Sequence, residues 1–135
     1  MKINNLTKKI IKKIKSKKTV ISVIGLGYVG LPLSIALSNS KFKVFGIDNN
    51  IENIKTLKNG KSHIKTIKDN QIKNLKSFIP SFDFKDISKS DIIIICVPTP
   101  IDKKKQPNLK YVKNVVFQIE KYIKKYQTII LECTS

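Results

Sequence analysis

The first stretch of the chain places Ile3, Leu6, Ile10, Ile11 and Ile14 among lysines at helical spacing, a pattern that predicts an amphipathic helix over residues 1–18. Beyond it the period changes. Thr19 to Ile24 (TVISVI) is a continuous run rich in β-branched residues that Gly25 interrupts, as expected of a strand covered on both faces of a parallel sheet. Gly30 to Ser40 suits a short helix, with Pro32 tolerated in its first turn. Lys43 to Asp48 reads as a second strand. The next helix is capped by Asn49 or Asn50, carries Ile51, Ile54 and Leu57 on one face, and ends at Asn59-Gly60. Strand, helix, strand and helix in this order make a βαβ unit with its crossover.

Ser62 to Phe78 reads as a loop and a polar helix, and Phe82 to Phe84 as a short third strand. Asp91 to Val97 (DIIIICV) is the strongest strand, solidly apolar and therefore central. A helix from about Asn108 to Tyr126 follows, with Leu109, Val112, Val116, Ile119 and Ile123 as its buried stripe, and Thr128 to Glu132 forms a last strand. The alternation argues for an α/β fold: a Rossmann-like doubly wound parallel sheet, spanning residues 19–135, behind the leader helix.

Composition narrows the class. A chain of 135 residues with 41% hydrophobic positions builds one domain with a core, and its two cysteines, Cys96 and Cys133, cannot staple a domain of this size. Both sit in apolar runs, which points to a reducing, cytoplasmic compartment. No span approaches the roughly 20 apolar residues of a membrane helix. The formal charge of +18 invites a nucleic-acid partner, yet all 27 basic residues are Lys, and the guanidinium fork that reads guanine edges is absent. Lys, Ile and Asn together approach half of the chain, so the charge reads as a compositional bias spread over solvated faces, with no nucleic acid or membrane as partner.

The chemistry concentrates in Gly25-Leu26-Gly27-Tyr28-Val29-Gly30, a GxGxxG that leaves a strand and opens a helix, with Asp48 ending the next strand. Gly25 permits the tight turn, Gly27 lets backbone approach a pyrophosphate, and Gly30 allows helix to pack on strand. The helix N-terminus then offers unsatisfied N–H groups and a partial positive charge to a diphosphate. A carboxylate at Asp48 accepts hydrogen bonds from a ribose diol and repels a 2′-phosphate, which selects NAD over NADP.

Other positions are less specific. Pro98-Thr99-Pro100 follows the central strand at the carboxyl edge of the sheet, and reads equally as a rigid turn or as a device holding Thr99 toward the cofactor. Cys133 has no neighbour to lower its pKa, and the single His, His63, has no partner at metal-ligand spacing, which favours surface or loop packing and no metal.

Taken together, VIGLGYVGLPL at Val23 to Leu33, GID at Gly46 to Asp48, CVPTPID at Cys96 to Asp102, PNLKYV at Pro107 to Val112 and ILECTS at Ile130 to Ser135 resemble the N-terminal domain of the nucleotide-sugar 6-dehydrogenases. GLPL and CVPTP look most like the UDP-N-acetylhexosamine branch, typified by UDP-N-acetylglucosamine 6-dehydrogenase, with the UDP-glucose branch as the near alternative. The resemblance implies NAD-dependent oxidation of a sugar C6 alcohol to the carboxylate, and a parent that is a homodimer or higher oligomer. Carried onto matching positions, Gly25, Gly27, Tyr28, Val29 and Gly30 would embrace the pyrophosphate, Asp48 the ribose, and Thr99 the nicotinamide half. Thr134 would help position water or cofactor at the reacting centre.

Two residues depart from that pattern: Asn53 stands where relatives usually carry Lys or Arg beside the ribose, and Cys133 replaces a Ser. The family's catalytic Glu, its Lys and Asn pair, its nucleophilic Cys, its dimerisation helix and the domain that holds the UDP-sugar substrate have no counterpart in residues 1–135. The expectation is therefore a cofactor-holding piece, inactive alone. A non-catalytic NAD-sensing module would use the same glycines and Asp48.

Overall fold

The computed structural model describes residues 4–132. Five parallel strands form one sheet: β1 (Val20–Ile24), β2 (Lys43–Ile47), β3 (Phe78–Ser81), β4 (Ile92–Ile95) and β5 (Thr128–Leu131), in the spatial order β3-β2-β1-β4-β5. The register pairs Ile21 with both Val44 and Ile92, and Ile24 with both Ile47 and Ile95. Side chains alternate across the pleat. Ile21, Val23, Val44 and Ile94 therefore face one layer, and Ile24, Phe45, Ile47, Ile93 and Ile95 the other.

Crossovers cover both layers. Helices α2 (Gly30–Asn39), α3 (Ile51–Lys58) and α4 (Asp69–Lys73) bring Leu31, Ile35, Ile54, Leu57 and Ile72 to the first face. A 3-10 turn (Phe84–Lys89) and helix α5 (Lys110–Ile119) bring Ile87, Val115 and Ile119 to the second. The strand order runs outward in opposite directions from β1 and β4, so their connections part at the carboxyl ends and leave a crevice between them.

The leader forms α1 (Asn5–Lys15), about three turns within the expected 1–18. Asn4 caps it by accepting the Thr7 N–H at 2.8 Å. None of its residues is buried. Asp91, just before β4, ties it to the sheet: one carboxylate oxygen lies 2.7 Å from the Lys13 ammonium and the other accepts the Val20 N–H at 2.8 Å. Among the described residues no helix is long and apolar enough to cross a membrane.

Three local expectations are corrected. The third strand lies at Phe78–Ser81, not Phe82 to Phe84: Asp83 caps the 3-10 turn and Phe84 begins it. Pro80 disguises it, yet an edge strand paired only with β2 tolerates a missing N–H. The polar helix within Ser62 to Phe78 shrinks to α4. The last helix ends at Ile119, and its inward face carries Val115 and Ile119, while Leu109, Val116 and Ile123 are exposed. That segment is apolar on several sides, so periodicity offered two faces, and packing against the 3-10 turn chose one.

Candidate functional site

The glycine turn begins where β1 stops. Gly25 has φ +94°, a conformation side chains avoid, and a Cβ there would sit 2.8 Å from the Cys96 carbonyl oxygen. Its N–H donates to the Ile47 carbonyl at 2.8 Å, which joins the turn to the end of β2. A Cβ on Gly30 would fall 1.7 Å from the Gly25 carbonyl oxygen, so the first turn of α2 rests directly on the loop. Gly27 differs from both. Its φ is not positive and a Cβ there would meet nothing within 4 Å, so the fold itself makes no demand for glycine at that position.

The chain after Gly27 presents donors. Among the described residues no acceptor is found for the amides of Gly27, Tyr28 and Val29, and Val29, at the N-cap of α2, provides no side-chain cap. Orphan amides and the helix dipole make this an anion-accepting end. Beside it, the Asp48 carboxylate accepts the Leu26 N–H at 2.9 Å through one oxygen and the Asn50 N–H at 2.9 Å through the other. Each oxygen keeps a further lone pair for a ligand hydroxyl.

These groups border one cleft of about 640 Å³. The glycine turn, Asp48 and Asn49 after β2, and Val97 and Pro98 after β4 all line it. A volume of this size suits a small-molecule site.

Gly25, Gly27, Tyr28, Val29 and Asp48 are thus brought to the same cleft. Gly30 is buried beneath the turn. Thr99 is only 8% exposed, and its neighbour Pro98 is the residue of that turn on the cleft wall. Thr134 and Cys133 lie outside the described residues. Asn50, rather than Asn49, caps α3, accepting the Asn53 N–H at 3.1 Å. Cys96 is buried in the core layer beneath α2.

Sequence reasoning missed two kinds of contributor. Phe84, in the 3-10 turn, and Asn114 and Gln118, on α5, line the cleft although they lie far along the chain from the glycines. The Phe84 turn is held by Asp86, whose carboxylate accepts the Ser81 hydroxyl at 2.6 Å and the Lys89 ammonium at 3.0 Å. Burial pushes the Asp86 carboxyl upward, but the hydrogen bonds from Ser81 and Lys89 and the charges of Lys89 and Lys85 outweigh it and hold the group below its ordinary value. The second contributor is His63, whose Nε2 lies 2.7 Å from the Leu26 carbonyl inside the glycine turn. No spacing in the sequence connects those two residues.

Comparison with known proteins gives concordant results. Residues 4–135 match the UDP-glucose/GDP-mannose dehydrogenase family, NAD binding domain. The chain is 34% identical over 118 residues to the UDP-N-acetyl-D-glucosamine 6-dehydrogenase of Pseudomonas aeruginosa, covering 87% of this chain and 28% of that protein. It is 35% identical over 118 residues to the UDP-N-acetyl-D-mannosamine dehydrogenase of Yersinia pestis, covering 85% of this chain and 28% of the relative. Among solved structures, UDP-N-acetyl-mannosamine dehydrogenase Cap5O from Staphylococcus aureus superposes with a TM-score of 0.77 at 31% identity, over 86% of this chain and 29% of its own. The present chain spans under a third of the length of these relatives.

Proposed function

The chain belongs to the UDP-glucose/GDP-mannose dehydrogenase family as its NAD-binding domain, and from that premise we propose that it serves a UDP-N-acetylhexosamine 6-dehydrogenase by holding the oxidant. The relatives named for UDP-N-acetylglucosamine and UDP-N-acetylmannosamine support that branch over the UDP-glucose branch. NAD supplies a hydride acceptor when bound. The chain's own residues bind and orient it.

In this reading the amides of Gly27, Tyr28 and Val29 donate to the diphosphate, and Asp48 accepts from the adenosine ribose diol while repelling a 2′-phosphate. Gly25 and Gly30 shape the turn that carries these donors. The family resemblance would assign Thr99 and Thr134 to the nicotinamide side. The observation that carries the reading is Gly27: among the described residues nothing fills its Cβ position, no acceptor is found for the amides of Gly27, Tyr28 and Val29, and these residues and the Asp48 carboxylate line the same cleft. A diphosphate pressed against the backbone accounts for glycine there.

A homodimer or larger assembly in a reducing cytoplasmic compartment fits this role. Isothermal calorimetry of residues 1–135 with NAD and with NADP tests the cofactor role. Binding of NAD with clear preference over NADP is expected. A folded sample that prefers NADP, or that binds neither, overturns it.

A further inference from the structure

We propose that His63 is a positioning residue for the diphosphate site, acting through the Leu26–Gly27 peptide, an inference that rests on the cofactor reading above. Leu26 O is only an acceptor, so the 2.7 Å contact requires that His63 Nε2 carry the proton and donate. This is the ring's single polar contact among the described residues, because Nδ1 is buried with no partner. The side chain is thus committed to one bond, and that bond ends in the glycine turn.

The backbone around His63 is itself fixed. Ser62 donates its N–H to Asp69 at 2.9 Å, its hydroxyl exchanges bonds with Ile64, and Ile64 is buried in the core. The imidazole is therefore presented from a held segment between α3 and α4.

Peptide planarity converts this contact into an effect on the ligand. In a trans peptide the C=O of Leu26 and the N–H of Gly27 lie in one plane and point in opposite directions. Anchoring the carbonyl on His63 turns the Gly27 N–H the other way, and Gly27 lines the cleft while His63 does not. Asp48 holds the peptide on the other side of Leu26 through its N–H. Leu26, its side chain fully buried, is gripped on both flanks, and the first amide of the anion site is aimed before any ligand arrives. Preorganisation of this kind raises affinity without adding a contact.

The test compares wild type, His63→Leu and His63→Gln, a Gln amide nitrogen standing near the place of Nε2. NAD and ADP-ribose affinities are read by calorimetry, and adenosine, which lacks the diphosphate, by ligand-observed NMR. His63→Leu is expected to weaken NAD and ADP-ribose roughly tenfold, to leave adenosine within about twofold, and His63→Gln to restore most of the loss. Undiminished NAD binding by His63→Leu overturns the proposal and leaves the cofactor reading standing, as does an equal loss for adenosine. A folded wild type that binds none of the three removes both. Should His63→Leu fail to fold, the imidazole tautomer of the wild type, read from long-range proton–nitrogen NMR, decides: protonation at Nε2 supports the proposal and protonation at Nδ1 overturns it.

Discussion

Replacing Gly27 and Gly30 by alanine, one at a time, should separate binding from folding within a single turn. At Gly30 the added methyl meets the Gly25 carbonyl oxygen at 1.7 Å, and a second atom, the Cys96 Cβ, at 3.2 Å. Backbone on one side and the sheet on the other leave no cheap escape. Overpacking of this severity costs about 3 kcal/mol or more, a large share of the roughly 5–15 kcal/mol that holds such a domain together. At Gly27 nothing lies within 4 Å, so Ala is accommodated, and the lower entropy of the unfolded chain stabilises the domain by about 0.4–1 kcal/mol. In the proposed cofactor site the same methyl would intrude where a diphosphate would meet the amides. Loss of one charge-assisted hydrogen bond is about 1.5–3 kcal/mol, a rise in Kd of roughly 10- to 150-fold. Urea denaturation and NAD calorimetry on both variants read the two effects. The reasoning is refuted if Gly27→Ala binds NAD like wild type, or if it is destabilised as much as Gly30→Ala.

Three further outcomes follow from named contacts. Asp48→Asn keeps the size of the side chain but gives up one acceptor oxygen and the negative charge, so NAD should weaken roughly tenfold and the preference over NADP should narrow; an unchanged NAD/NADP ratio in calorimetry argues against a ribose contact. Because the Asp86 carboxyl is held below its ordinary value, its stabilisation is complete above the unfolded carboxylate range near pH ~4 and is lost as the pH falls through the folded value; urea midpoints from pH 7 to pH 2 should show Asp86→Asn less stable at neutral pH and the gap closing in acid. Lys13→Met removes a half-exposed ion pair and should cost under about 1 kcal/mol, whereas Asp91→Ala also strips the Val20 N–H of its acceptor and should cost about 1–3 kcal/mol; equal urea midpoints for the two variants would contradict that assignment.

Much of the fold and of the cleft was legible in the residues alone because the relevant physics is local. A β-branched run ending in Gly25, a helix opening at Gly30 and a carboxylate at the tip of the next strand specify turn, packing and ligand end within about 30 residues, and the βαβ unit leaves these groups few other arrangements. The crowded Cβ positions at Gly25 and Gly30 match the turn and packing roles that their spacing suggests. Contacts between distant segments decided the rest. Pro80 reads as a strand breaker until β3 is known to be an edge, and α5 offers two apolar faces until packing against the 3-10 turn selects the one with Val115 and Ile119. His63 meets Leu26 across 37 positions, a distance no period or motif encodes, and only the folding of the α3–α4 segment onto the glycine turn brings donor and carbonyl together.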